Sequence, residues 1–265
     1  AQFVPTMFVR MLRLSDELKS KSDLSSLRCV IHAAAPCPAT VKQAMIDWLG
    51  PILYEFYSGT ELIGRTSLDS HEWLAHPGSV GRAEVGVIHI VGDDGRELPV
   101  GENGVIYFSG GPTFEYHKDP VKTRSVYNDQ GWATYGDIGH VDAEGYLYLT
   151  DRLANTIVSG GVNIYPQETE NTLQAHPAVL DVAVVGVPDA EFGEAVKAVV
   201  QLQPPHQASP DLAAELMAFC RARISPIKCP RSVDFVAQLP RAESGKLLKR
   251  LVKAQYWGDG SGIAH

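Results

Sequence analysis

The sequence is poor in the residues that staple or metallate small folds. Its four cysteines, Cys29, Cys37, Cys220 and Cys229, form no C-x-x-C pair and have no histidine at zinc spacing. This argues against a disulfide framework or a structural metal and predicts free thiols in a reducing compartment. Nine histidines occur without an H-E-x-x-H pair. No stretch approaches the roughly 18 uninterrupted apolar residues of a membrane span. The opening AQFVPTMFVRMLRL lacks the continuous apolar core and cleavage site of a signal peptide, so a cytoplasmic location is expected. Positive charge is also in deficit. With 23 Lys and Arg against 31 Asp and Glu the formal net charge is -8, and a general nucleic-acid binder is not expected. The first residue is Ala1 rather than Met, which points to a processed, engineered or fragmentary start.

What is present is ordinary globular composition, 45% hydrophobic and 20% charged over 265 residues, enough for one large domain or two modest ones. Charge is uneven: residues 221–253 hold nine basic side chains and two acidic ones. Such a segment suits either a phosphate ligand or a solvated helix face. Along the first ninety residues the pattern alternates. PTMFVRMLRLSDEL has helical spacing, LRCVIHAAAP reads as a buried strand, and ATVKQAMIDWLG reads as a helix with Thr40 as N-cap and Gly50 as stop. PILYEFYSGTE reads as a second strand running into a polar loop. Strand, helix, strand predicts a parallel α/β unit, whose ligands sit at the carboxyl ends of the strands, here HAAAP and YSGTE.

Residues 80–150 alternate strand and turn, with Asp94-Gly95 as a hairpin signal, and predict antiparallel β structure as a small barrel or sandwich. Beyond Asp151 the pattern changes again: a helix after Pro166, strands at LDVAVVGVPD and GEAVKAVVQLQ, and an amphipathic helix at PDLAAELMAFCRARI with Pro210 and Asp211 in its first turn. A short strand, SVDFVAQLP, and a last helix opening at Ser244 follow. A domain boundary is expected near Arg152.

Four segments offer chemistry. In YSGTE, a small loop through Ser58 and Gly59 can approach phosphate, Thr60 can bond a phosphate oxygen, Glu61 can hold Mg²⁺ and Tyr57 can stack on a base. In TYGDIG, Asp137 can accept from two ribose hydroxyls. In the run from Asp151 to Glu170, Arg152 can bridge ribose and phosphate oxygens. In the same run Ser159, Gly160 and Gly161 suit either a tight hairpin or the wall of a narrow channel. In PRAESGKLLKR, Lys246 follows Gly245 at a helix start, where it could reach a ligand held by another domain. Taken singly, each segment is also what an ordinary turn or surface contains.

Together, in this order and at these separations, they resemble the adenylate-forming superfamily of acyl-CoA synthetases, aryl-CoA ligases, peptide-synthetase adenylation domains and firefly luciferase. YSGTE is similar to its Y-G-x-T-E, and WATYGDIGHVDAEGYLYLTDR to its W-x-x-T-G-D segment running into the hinge Arg. SGGVNIYPQETE is similar to S-G-G-x-N-I-x-P-x-E-I-E, and PRAESGKLLKR to P-x-x-x-x-G-K-x-x-R-R. The resemblance runs over essentially the whole chain. It implies an α/β and α+β fold: residues 1–151 as the later part of a large AMP-binding domain and 152–265 as a small mobile α+β domain. Within the first, an α/β unit covers about 1–78 and an antiparallel β-barrel about 79–151.

The resemblance further implies MgATP-dependent activation of a carboxylic acid, fatty acyl or related, to acyl-AMP, followed by transfer to CoA. Tyr57 would stack on adenine in a pocket lined by Ala34, Ala35 and Pro36. Thr60 would hold phosphate, Glu61 the Mg²⁺, and Asp137 and Arg152 the ribose. Lys246 would neutralise charge in the first step, and Gly160 and Gly161 would flank the pantetheine channel after domain rotation. Departures are Ser58 where the family has Gly, Tyr135 where it has Thr, and Ala154 and Asn155 at the hinge. The family's Ser/Thr/Gly-rich loop ending in P-K-G is absent from these 265 residues, so an N-terminal half is expected in cis or in trans. The alternative is a catalytically silent nucleotide- or partner-binding fragment or split subunit. A homodimer is one of the assemblies left open.

Overall fold

The computed structural model of the chain describes residues 1–242 and 246–257. It divides into two compact units, Ala1–Thr150 and Asp151–His265. In the first, strands β1 (Gln2–Phe3), β2 (Val30–His32) and β3 (Leu53–Tyr57) pair in parallel, and β4 (Arg65–Asp69) and β5 (Arg82–Val85) continue the sheet antiparallel. The helices α1 (Pro5–Leu12), α2 (Asp16–Lys21), α3 (Ala39–Leu49) and α4 (Ser70–Ala75) connect these strands. Phe8, Val30, Met45, Ile46, Leu53, Leu68 and Trp73 form their shared core, each large side chain contributing on the order of 1.5–3 kcal/mol.

The β2–α3–β3 crossover is the parallel unit expected from the alternation. Two details differ. The stretch read as a single helix breaks after Leu12, because Ser15 accepts from the Leu18 amide and caps a second helix. Thr40 is not the N-cap of α3: Pro38 holds that place without a side-chain cap, and Thr40 lies inside the first turn. Gly50, at φ 81°, does close the helix.

The second sheet runs β6 (Val87–Val91), β7 (Gly104–Ser109), β8 (Ala133–Val141), β9 (Leu147–Arg152), with α5 (Pro120–Ser125) between β7 and β8. Burial alternates along β7, placing Ile106 and Phe108 in a core with Ile63, Val80, Ile90, Ala133 and Leu147. The expected barrel is not formed among the described residues: the sheet is open, with β6 and β9 at its edges. Four strands are too few to close around a filled interior, which takes about eight. Asp94-Gly95 does turn the chain, bringing Glu97 back beside Val91, but the turn lies inside the β6–β7 connection.

In the second unit the strands β10 (Ile157–Ser159) and β11 (Val162–Ile164) form a hairpin beside β13 (Gly193–Leu202), which pairs antiparallel with β12 (Val179–Asp189) and parallel with β14 (Ser232–Val236). Val182, Val184, Val196, Ala198 and Val200 face a core with Leu173 of α6 (Pro166–Gln174) and Leu216 of α7 (Pro210–Arg221). Ala183, Val185 and Val199 face Leu239 and, from α8 (Lys249–Ala254), Val252 on the other side. Burial on both faces explains why these strands read as near-continuous apolar runs. The expected helix opening at Ser244 falls outside the described residues. The described helix begins at Lys249, because Leu247 still bridges Arg241 as extended chain.

Candidate active site

Parallel pairing of β2 and β3, with His32 beside Glu55, sends the segments that follow both strands off the same sheet edge. After β2 comes Ala34, at φ 75°, a left-handed conformation rare for a residue with a Cβ and common where function demands a shaped loop. Ala34 and Pro36 are exposed and Ala35 half-buried. β3 ends at Tyr57, whose hydroxyl donates to Asp137 Oδ2 at 2.6 Å. Asp137 is 6% exposed, and the bond joins the first two motifs across 80 residues.

The loop between them is held by Tyr135. Its hydroxyl donates to the Gly64 carbonyl at 2.8 Å, accepts from the Gly64 amide at 3.2 Å, and lies 3.2 Å from Ser58 Oγ. Ser58 Oγ also donates to the Gly64 carbonyl, at 2.9 Å. Two of the residues that depart from the family's pattern, Ser58 and Tyr135, therefore touch each other. The Tyr135 ring meets Tyr57 edge-on, with centroids 5.7 Å apart. It also packs against Gly59, where a Cβ would come within 2.3 Å of it. Any side chain at residue 59 would push the loop off the tyrosine.

Glu61 sits half-buried in this loop, with Thr60 exposed beside it. Glu61 Oε1 accepts from the Tyr116 hydroxyl at 2.7 Å, and that bond, ahead of burial, pushes the Tyr116 phenol up to about 12. Among the described residues no group of three or more His, Cys, Asp or Glu could cage a metal ion. A single carboxylate is the kind of ligand that suits Mg²⁺, which binds through one or two carboxylates and keeps its remaining positions for phosphate and water.

Behind the loop lies a polar cluster that the sequence did not announce. Lys42 Nζ donates to Glu55 Oε2 at 2.5 Å, and Lys42 is 1% exposed. His32 Nε2 is 3.7 Å from the same oxygen, and the ring is fully buried. Burial, then the Lys42 charge, depresses the His32 imidazole to about 3, and burial foremost pushes the Cys37 thiol up to about 12.

The remaining candidates belong to the second unit. Arg152 ends β9 and is exposed. Beside it Asp151, 8% exposed, accepts from the Arg152 amide (2.6 Å), the Asn155 side chain (3.0 Å) and the Gln167 amide (2.7 Å). One carboxylate thus ties the short 3₁₀ turn Leu153–Asn155 to the first turn of α6. Gly160 and Gly161, at φ 57° and 79°, form the two-residue loop between β10 and β11, the tight hairpin of the two readings. Space around Gly161 is open, with nothing within 4 Å of a built Cβ. Lys246 is exposed, and its carbonyl accepts from the Ala242 amide at 2.9 Å. Its neighbours Ser244 and Gly245 lie outside the described residues. The last two motifs also meet: Lys249 Nζ is 2.8 Å from Glu170 Oε1, and the same oxygen accepts from the Val184 amide at 2.7 Å.

The structure therefore joins Tyr57 to Asp137 and surrounds the Thr60–Glu61 loop with Tyr135 and Tyr116. Sequence reasoning missed Tyr116 and Asp151 as partners. Neither lies in a periodic pattern, and the only signal for Tyr116 was an aromatic in a polar loop.

Residues 1–115 match the AMP-binding enzyme family and residues 168–246 the AMP-binding enzyme C-terminal domain. The chain belongs to the adenylate-forming, AMP-binding superfamily. It is similar to the putative acyl-CoA synthetase YngI of Bacillus subtilis (38% identity over 257 residues, 93% of this chain and 45% of the relative). It is equally similar to a feruloyl-CoA synthase of Amycolatopsis sp (38% over 256 residues, 96% and 51%). ATP-bound MatB from Rhodopseudomonas palustris superposes with a TM-score of 0.84 at 31% identity, covering 96% of this chain and 50% of that one. The chain spans about half the length of the curated relatives it matches.

Proposed function

We propose that the whole protein is an ATP-dependent acid–thiol ligase that activates a fatty or related carboxylic acid as acyl-AMP and transfers it to CoA. The observation that carries this is the 2.6 Å Tyr57–Asp137 bond, which joins the ring we assign to the base and the carboxylate we assign to the ribose, with the Thr60–Glu61 loop following Tyr57. The 3.2 Å Ser58–Tyr135 contact holds that loop in place. The names of the CoA synthetases among its relatives, and the ATP in the MatB structure, support the reaction class.

In this reading the carboxylate of the acid attacks the α-phosphorus of ATP, and pyrophosphate leaves. Tyr57 offers its ring face to adenine between the strand and the segment Ala34, Ala35, Pro36. Asp137, whose Oδ2 accepts from Tyr57, would accept from the ribose hydroxyls as a carboxylate can, with Arg152 as the second ribose contact. Ser58, Gly59 and Thr60 line the phosphates. Glu61 would hold Mg²⁺, which supplies neutralising charge on the phosphate oxygens. Lys246, exposed on the second unit, would stabilise negative charge developing in the adenylation transition state. In the second half-reaction the CoA thiol displaces AMP, and Gly160 and Gly161 would form the narrow wall past which its pantetheine arm runs.

The test is ATP–pyrophosphate exchange with a panel of fatty and aryl acids. Acid-dependent exchange by the whole protein is expected. A Tyr57→Ala variant should lose at least about tenfold in kcat/KM for ATP, the worth of a stacked base. Absence of exchange with every acid, alongside intact nucleotide binding, would favour the second reading. That reading, a nucleotide-binding module without turnover, is favoured for the 265 residues alone by their lack of the phosphate loop.

A further inference from the structure

The Tyr116 hydroxyl reaches across 55 residues to a carboxylate in the nucleotide loop, although its own segment does not need that bond to hold its shape. The Tyr116 amide donates to Thr123 Oγ1 at 2.9 Å, and Thr123 in turn donates to the Asp119 carbonyl at 2.8 Å. Asp119 caps α5 through the Lys122 amide. The Tyr116 ring packs edge-on against Phe114 at 5.2 Å and lies under Lys122 Nζ at 4.0 Å. The ring is fixed from its own side of the contact, and the hydroxyl projects from a preformed platform. On the other side, Glu61 has two oxygens in unlike settings. Oε1 accepts from the phenol, while Oε2 lies over Gly59, where a Cβ would stand 2.7 Å from it and crowd it.

We infer that Tyr116 is a positioning residue for Glu61: its hydroxyl fixes Oε1 so that Oε2 points at the position of a divalent cation shared with the nucleotide phosphates. The inference rests on the assignment of Glu61 to the metal. A phenol stays protonated across the neutral range. It therefore serves as a permanent donor and adds no charge of its own. Losing the hydroxyl frees the carboxylate to sample other rotamers, and cation affinity falls because ordering Glu61 must then accompany binding.

The experiment is Mn²⁺ binding to the whole protein in the presence of ATP, read from the free-ion EPR signal, for wild type, Tyr116→Phe and Glu61→Gln. Tyr116→Phe should raise the Mn²⁺ Kd by about five- to tenfold, the net size of a typical hydrogen bond. Exchange activity lost at limiting Mg²⁺ should return as Mg²⁺ is raised. An unchanged Kd in Tyr116→Phe with a weakened one in Glu61→Gln overturns the positioning role and leaves Glu61 as the ligand. An unchanged Kd in both overturns the metal assignment as well. A second measurement needs no folded Tyr116 variant. In wild type labelled with [¹³Cζ]tyrosine, the line that moves in Glu61→Gln should also move as Mg²⁺ is titrated in with ATP. A line that stays fixed while the cation binds overturns the inference.

Discussion

The Tyr135 hydroxyl bonds both the amide and the carbonyl of Gly64 and contacts Ser58, so one oxygen fastens both ends of the loop that carries Thr60 and Glu61. Tyr135→Phe keeps the ring against Gly59 and removes only these polar contacts. It should destabilise the protein by about 1–3 kcal/mol in urea unfolding and raise the KM for ATP severalfold. A stability loss with an unmoved KM would make the clasp purely structural. His32 gives a prediction in pH. The fold holds its imidazole neutral down to about 3, whereas the unfolded chain protonates it near 6.5. Its contribution is complete above about 6.5 and is lost as pH falls toward 3, because the unfolded state then binds the extra proton. His32→Phe preserves the edge contact with Phe8 and leaves no ring nitrogens unpartnered, as both are in the wild type. It should flatten the decline in stability between pH 6.5 and 4, measured by urea unfolding across that range. An unaltered slope would mean other groups govern the acid limb.

At the scale of elements, the Lys249–Glu170 pair links α8 to α6 in the second unit. Burial pushes the Glu170 carboxyl up against the pull of Lys249, and the Val184 amide shares the load. Lys249→Met strands a buried carboxylate and should destabilise the unit by about 3–5 kcal/mol at pH 7. Adding Glu170→Gln should recover part of the loss. A double-mutant cycle with no coupling would show the pair to be incidental. These elements also show what the sequence made legible. The apolar runs of β12 and β13 and the Pro210–Asp211 opening of α7 follow from local chemistry, and they were readable. The break at Ser15, the cap at Pro38 and the open edges of the second sheet depend on which neighbour completes each group, and they were not. The same divide runs through the site. Tyr57 and Asp137 stand in motifs whose residue types carry their chemistry. Tyr116 and Asp151 act through contacts 55 and 16 residues away that no periodicity encodes.

Over the whole molecule, the basic segment finds acidic partners within its own unit: Arg241 with Asp181, Lys228 with Glu168, Lys253 with Glu194, and Arg231 with Asp189 at 3.6 Å. The charge asymmetry was visible in the sequence, but much of it serves internal pairing that exposed ends screen to about 0–1 kcal/mol each. Lys246 is the member of that segment proposed to meet the nucleotide. Lys246→Ala in the whole protein should slow acyl-AMP formation by about 10²-fold or more while largely sparing thioester formation from supplied acyl-AMP. Equal loss in both half-reactions would remove it from the first step. Asp151 sets a rule for anyone recombining the two units. Its three hydrogen bonds all run forward, to Arg152, Asn155 and Gln167. A graft joined after Thr150 carries the whole splint with the donor, and the recipient supplies only a strand end. A graft joined after Arg152 takes its carboxylate from one parent and its α6 from the other, and it survives only where the foreign residue at 151 is again an acid.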